Sequence, residues 1–114
     1  MSDVGKINQE LLDYSRKLAL AVNEYDTACV DAANKRTDRD VRWAQEMLRS
    51  EGKTVADREA EVMVICEAIV RECRISEAMR DALKERIRAL QSVLNAAQTR
   101  AAFLKAEMKI NQYE

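Results

Sequence analysis

The sequence contains no proline, no histidine and only two glycines, Gly5 and Gly52, in 114 residues. So few turn-forming residues disfavour a β-sandwich, a β-barrel or a doubly wound sheet. The absence of histidine removes the imidazole side chain from any acid–base or metal-binding role. No apolar run reaches the roughly 18 residues that a membrane span requires, so we expect no membrane-embedded segment.

Charge is plentiful but balanced. Charged residues make up 34% of the chain and hydrophobic residues 47%, and the formal net charge is -1. This composition excludes a disordered chain, and a dedicated nucleic-acid binder would be clearly basic. The N-terminal segment MSDVGKINQE lacks the basic and apolar regions of a secretory signal, which favours a cytoplasmic location.

The first part of the chain carries apolar residues at alternating spacings of three and four, a pattern typical of a helix that packs along one face. They are Val4, Ile7, Leu11, Tyr14, Leu18, Ala21, Tyr25, Ala28 and Ala32. The pattern predicts a helical arm over about residues 3–50, with Ser2 as its N-cap.

A polar stretch at 34–40 interrupts this row, and we expect the row to resume in a new phase at Val41, Ala44 and Leu48. Two interpretations stay open. The helix runs on with a skip in its packing, or Thr37 and Asp40 form a capping box that starts a new helix. The absence of glycine and proline from the stretch favours continuity.

Residues 51–54 are predicted to form the turn of a hairpin. Gly52 suits the left-handed conformation that often ends a helix, and Thr54 with Asp57 is an N-terminal capping signature. A second helical arm is then expected over about residues 55–111, without a break.

The second arm carries two apolar rows. The first contains two polar exceptions, Ser76 and Arg80, which we expect the neighbouring Ile75 and Met79 to replace in the packing. Its members are Val62, Cys66, Ile69, Cys73, Ser76, Arg80, Leu83, Ile87, Leu90, Leu94, Ala97, Ala101, Leu104 and Met108. The second row consists of Val64, Ala68, Ile75, Ala82, Ala89, Val93, Ala96 and Phe103.

These features predict an all-α fold in a single helical domain over residues 1–114, a long antiparallel, coiled-coil-like hairpin. Folding about Gly52 places residue i opposite residue 105−i, so that Leu11 meets Leu94. Two helices bury only one row each, which predicts completion by oligomerisation, most simply a two-fold dimer forming a four-helix bundle. A chain folded back into three helices is the alternative.

The chain offers little for catalysis. It has no phosphate-binding glycine loop and no recognisable nucleophile–base arrangement, so we expect no enzyme and no cofactor. Metal binding is not expected either, because Cys29, Cys66 and Cys73 lack the spacing of a zinc site. We interpret these cysteines as reduced packing residues.

Two groups of residues are candidates for contact with partners. Arg86, Arg88, Arg100 and Lys105 are possible nucleic-acid or partner contacts, although such residues also flank ordinary helix pairs. Trp43, the only tryptophan, and Met47 are either a buried anchor or an exposed protein-binding site.

The stretch RWAQEMLRSEGKTVADREA at 42–60 and the segment RALQSVL at 88–94 resemble small helical-hairpin proteins of bacteriophages and prophages. The resemblance covers about residues 40–104 and brings no catalytic residues. Genes of this group lie in early regions near recombination and replication functions, which implies an accessory role there in the host cytoplasm. The alternatives are an antagonist of a host protein and a structural spacer.

Overall fold

The computed structural model describes residues 3–113, so the predicted N-cap Ser2 lies outside the described part of the chain. Three helices follow one another: α1 at Asp3–Arg49, α2 at Val55–Ile65 and α3 at Glu67–Tyr113. Within residues 3–113 no strand occurs. The predicted all-α fold, an antiparallel helical hairpin, is confirmed.

Contacts group the chain into two compact units. The first combines the start of the chain to Glu24 with the part from Leu83 onward, and the second is Tyr25–Ala82. In the first unit, a buried cluster of Ile7, Ala97 and Ala101 packs against Leu11 and Leu104. The second unit contains the turn and α2.

Helix α1 continues through the polar stretch without interruption, as the lack of breakers predicted. The hydroxyl of Thr37 donates a hydrogen bond to the carbonyl of Ala33 at 3.1 Å, four residues back. A threonine bonded in this way lies inside a helix and does not cap a new one. The alternative of a break at 34–40 is therefore wrong.

The buried row of α1 also continues, but most of its members there are polar. After Ala32 it follows Lys35, Arg39, Trp43 and Glu46, which are all buried or half-buried. The predicted resumption at Val41, Ala44 and Leu48 is wrong, since all three are exposed and Leu48 is 89% exposed. In the alternation of three and four, the member after Arg39 would come three residues later, but Trp43 comes four residues later. This is the only phase change in the row, and it acts as a stutter.

The second arm is interrupted at Cys66, contrary to the expectation of an unbroken helix. Backbone hydrogen bonds nevertheless span the interruption. The amide of Cys66 donates to the carbonyl of Val62 at 2.8 Å, and the amide of Val70 donates to the carbonyl of Cys66 at 3.0 Å. The arm therefore keeps helical hydrogen bonding on both sides of Cys66.

The first apolar row of this arm faces inward from Val62 to Leu104, including its polar members, whereas its last member, Met108, is 48% exposed. Ser76 is buried, and its hydroxyl donates to the carbonyl of Cys73 at 2.7 Å. Ile75 and Met79 are 54% and 61% exposed, so the expectation that they replace Ser76 and Arg80 is wrong. A hydroxyl bonded to its own helix costs little to bury, which lets Ser76 keep the inward position.

The turn occupies residues 50–54 and is held by hydrogen bonds from side chains. Thr54 caps α2, because its hydroxyl accepts from the amide of Asp57 at 3.1 Å. The hydroxyl of Ser50 donates to Glu61 at 2.8 Å, and Arg58 Nε donates to the carbonyl of Gly52 at 2.9 Å. These bonds connect the end of α1 and the turn to the first two turns of α2.

Gly52 is required for space and not for conformation. No glycine described in the structure has a positive φ, so the predicted left-handed conformation is wrong. A Cβ atom at Gly52 would lie 2.9 Å from the backbone nitrogen of Arg58 and 3.2 Å from its Cα atom. The start of α2 thus approaches the turn too closely for any side chain.

We expect Gly52→Ala to lower the free energy of unfolding by about 1–3 kcal/mol, the usual cost of overpacking. The methyl group would have to displace backbone of α2 and not a flexible side-chain end. Urea denaturation followed by circular dichroism measures the effect. Lys53→Ala, at an exposed position of the same turn, is the control and should stay within about 0.5 kcal/mol of the wild type. Equal stabilities of the two variants would contradict the close approach.

The register of the hairpin differs from the predicted one by more than a helical turn. Arg100 pairs with Glu10 at 2.8 Å, and Ser50 bonds Glu61, so the residue numbers of facing pairs add to 110 and 111 instead of 105. Ser50, at the end of α1, faces Glu61 and not the start of α2. The first turn of α2 therefore extends past the end of α1. The predicted register was wrong because it took Gly52 as the centre of a symmetric turn.

Candidate interaction surfaces

A groove beside Trp43 is the first candidate surface, and it lies within the second unit. Its volume is about 360 Å³, and it is lined by Trp43, Met63, Glu67, Val70, Arg71 and Arg74. We call it the Trp43 groove. The lining residues of α2 and α3 recur at helical spacings that place them on one side of the arm. Trp43 is half-buried, so its exposure lies between that of the buried anchor and that of the exposed binding site, the two alternatives that the sequence left open.

The charged residues of the Trp43 groove are not equally free to bind a partner. Arg71 forms an ion pair with Glu67, four residues earlier on the exposed face of α3. Arg74 is exposed and forms no ion pair with any residue of the described chain. The groove therefore presents an apolar floor, and at its edge lies one positively charged side chain without an ion-pair partner, that of Arg74.

Glu46 lies one turn beyond Trp43 and is only 8% exposed. Its carboxylate binds Arg42 at 3.1 Å and Arg49 at 3.3 Å, so this buried charge is neutralised within α1. Met47, the other residue predicted for partner contact, is half-buried but does not line the Trp43 groove. Only Trp43 of the predicted pair thus belongs to this surface.

The second apolar row of α3 is exposed along its length. Its regular part has one member every seven residues: Ala68, Ile75, Ala82, Ala89, Ala96 and Phe103. We call these six residues the outer row. They point away from the buried row, and the largest of them, Phe103, is 68% exposed. Exposed apolar residues at regular spacing are typical of a helix that packs against a further helix.

The four predicted basic contacts do not share one face. Arg86 and Arg88 are two residues apart on α3, which places them about 160° from each other around its axis. Arg88 is paired with Glu85 and Arg100 with Glu10, both at 2.8 Å. Arg86 and Lys105 are exposed and form no ion pair within residues 3–113. These side chains do not combine into a continuous positive surface.

The three cysteines are free thiols, and Cys66 and Cys73 are buried. The thiol of Cys73 donates a hydrogen bond to Glu77 at 3.1 Å. Burial, together with this hydrogen bond to Glu77, raises the pKa of Cys73, and the positive charge of Arg39 opposes the rise. The protonated thiol is thus the form that the folded chain stabilises.

This shift predicts a loss of stability at alkaline pH. A thiol whose pKa is higher in the folded than in the unfolded chain stabilises the fold fully below its unfolded value, about 8.5. The contribution disappears as the pH rises through the folded value. We expect urea denaturation between pH 7 and 10 to show a smaller alkaline decline for Cys73→Ala than for the wild type. Parallel declines would contradict a role for this thiol.

The described residues give no sign of a metal site or of a membrane span. Residues 3–113 contain no group of three cysteine, aspartate or glutamate side chains placed to hold a metal ion. No helix in this range combines the length and the apolar character needed to cross a membrane. Comparisons of the chain with protein-family models, with curated proteins and with solved structures found no match.

Proposed function

We propose that the chain is a non-enzymatic interaction protein that works as a helical bundle of more than one copy, most simply a two-fold dimer. The observation that carries this proposal is the outer row of α3, whose six apolar residues are all exposed. Every copy carries the same row, so two copies can cover each other's row around a two-fold axis.

The composition of the outer row suits the packing of helices. Four of its positions are alanine, whose small side chain lets a second helix approach closely. Ile75 and Phe103 supply larger apolar area at one position each in the two units. Burying a side chain of this size contributes about 1.5–3 kcal/mol.

Sedimentation equilibrium over a range of concentrations tests the assembly. The chain has a mass of 13.0 kDa, and we expect a species of about twice this mass at micromolar concentration. A 13.0 kDa species at every concentration would contradict the proposed bundle.

We further propose that the bundle is a phage accessory factor that contacts a protein of the recombination or replication machinery in the host cytoplasm. The resemblance of residues 42–60 and 88–94 to phage helical-hairpin proteins supports this role. Nucleic acid is the less favoured target, because Arg88 and Arg100 are occupied in ion pairs and the net charge is -1.

Affinity capture from phage-infected cells, followed by mass spectrometry, tests the accessory role. Recovery of recombination or replication proteins with the wild-type chain is the expected result. Recovery of an unrelated host protein would favour the antagonist, and recovery of no protein at all would favour a spacer.

A further inference from the structure

We infer that the Trp43 groove binds an apolar side chain on an acidic helical segment of another protein. The inference deepens the proposed interaction role by naming the chemistry of the partner, and it does not require the dimer. Two features of the groove carry it: its size and apolar floor, and the charge at its edge.

The size of the groove fits a side chain. A volume of about 360 Å³ lies at the lower end of the range for small-ligand pockets. Trp43, Met63 and Val70 form an apolar floor, and methionine adapts its shape to different apolar groups. The groove therefore suits one or two large apolar side chains, which a helix presents at positions three or four residues apart.

The charges around the groove indicate which charged groups the partner carries beside the inserted side chain. Its lining carries two arginines, Arg71 and Arg74, against one carboxylate, Glu67, although the whole chain is slightly acidic. Glu67 is already paired with Arg71, whereas Arg74 has no partner in the described chain. A carboxylate beside the inserted side chain would complete a charge-assisted hydrogen bond with Arg74.

These observations favour a protein segment over single-stranded nucleic acid. Binding of nucleic acid without sequence preference uses a positive groove that follows several phosphates. The Trp43 groove has one uncommitted cation, and the carboxylate of Glu67 is part of its lining. One carboxylate fits this arrangement, whereas a run of phosphates does not.

The intrinsic fluorescence of the chain reports on this groove, because Trp43 is the only tryptophan. The wild-type protein is titrated with a short synthetic helical peptide that carries leucine and phenylalanine one turn apart with aspartates beside them. Two counterparts have asparagine or lysine in place of aspartate, and a fourth ligand is an oligothymidine. The same titrations are made with Arg74→Glu and with Arg86→Glu, a control at an exposed, unpaired arginine of α3.

We expect the acidic peptide to shift the Trp43 emission to shorter wavelength and to bind at least tenfold more tightly than the asparagine peptide. Arg74→Glu should reverse this preference in favour of the lysine peptide, while Arg86→Glu behaves as the wild type. Equal binding of all peptides, a response to oligothymidine alone, or an emission that changes with protein concentration and not with peptide would overturn the inference. Sedimentation of the same samples separates this result from the dimer, because a chain that stays monomeric can still bind the acidic peptide.

Discussion

Replacing Ala97 with glutamate is expected to lower the free energy of unfolding by about 3 kcal/mol or more, the cost of burying an uncompensated charge. Ala97 is 0% exposed and belongs to the cluster that joins Ile7, Leu11 and Ala101 in the first unit. A glutamate there must either lose its hydration or force α1 away from α3. Both outcomes remove the apolar contacts of the cluster, in a chain whose total stability is expected to be about 5–15 kcal/mol.

Urea denaturation followed by circular dichroism measures the loss, and hydrogen exchange locates it. Ala102→Glu is the matched control, because Ala102 is exposed and belongs neither to the buried row nor to the outer row of α3. The control should differ from the wild type by less than about 0.5 kcal/mol. We expect Ala97→Glu to increase exchange first in the first unit. Similar destabilisation by both substitutions would show that Ala97 is not at a buried helix contact.

The helices themselves were predictable because their signals are local. Apolar spacing from Val4 to Ala32 and the capping residue Thr54 depend only on neighbours in the chain, and the structure places both as expected. Spacing was also more informative than polarity. Ser76 keeps the buried phase of α3 although hydropathy assigns it to the surface, and Arg39 does the same in α1. Long polar side chains can cover a buried row with their aliphatic stems, which hydropathy does not capture.

The features that could not be predicted depend on contacts between elements. Position 52 requires a glycine because the backbone of Arg58 lies too close for a side chain there. No sequence pattern around Gly52 reveals this contact. The interruption at Cys66 has no proline or glycine to mark it. The Trp43 groove was missed because a register based on a sum of 105 places Trp43 opposite Val62. The observed sum of about 110 places it opposite Glu67, whose neighbours Met63, Val70 and Arg74 share its side of the helix.

Replacing Ile75 with glutamate is expected to dissociate the proposed dimer. Ile75 is 54% exposed in the single chain, so the substitution should leave the stability of the monomer nearly unchanged. In a two-fold interface both copies carry the change, and each buried carboxylate costs at least about 2 kcal/mol. The sum of about 4 kcal/mol corresponds to a dissociation constant raised about 1,000-fold.

Sedimentation equilibrium of Ile75→Glu should therefore return a mass near 13.0 kDa at concentrations where the wild type has about twice that mass. Val30→Glu provides the control. Val30 is 62% exposed on α1, beside Asp26 and Asp31, whose carboxylates suit contact with water better than with an apolar partner. We expect the control to assemble as the wild type does. Dissociation by Val30→Glu and not by Ile75→Glu would place the interface on α1, because the charge that disrupts assembly must lie where the two copies exclude water.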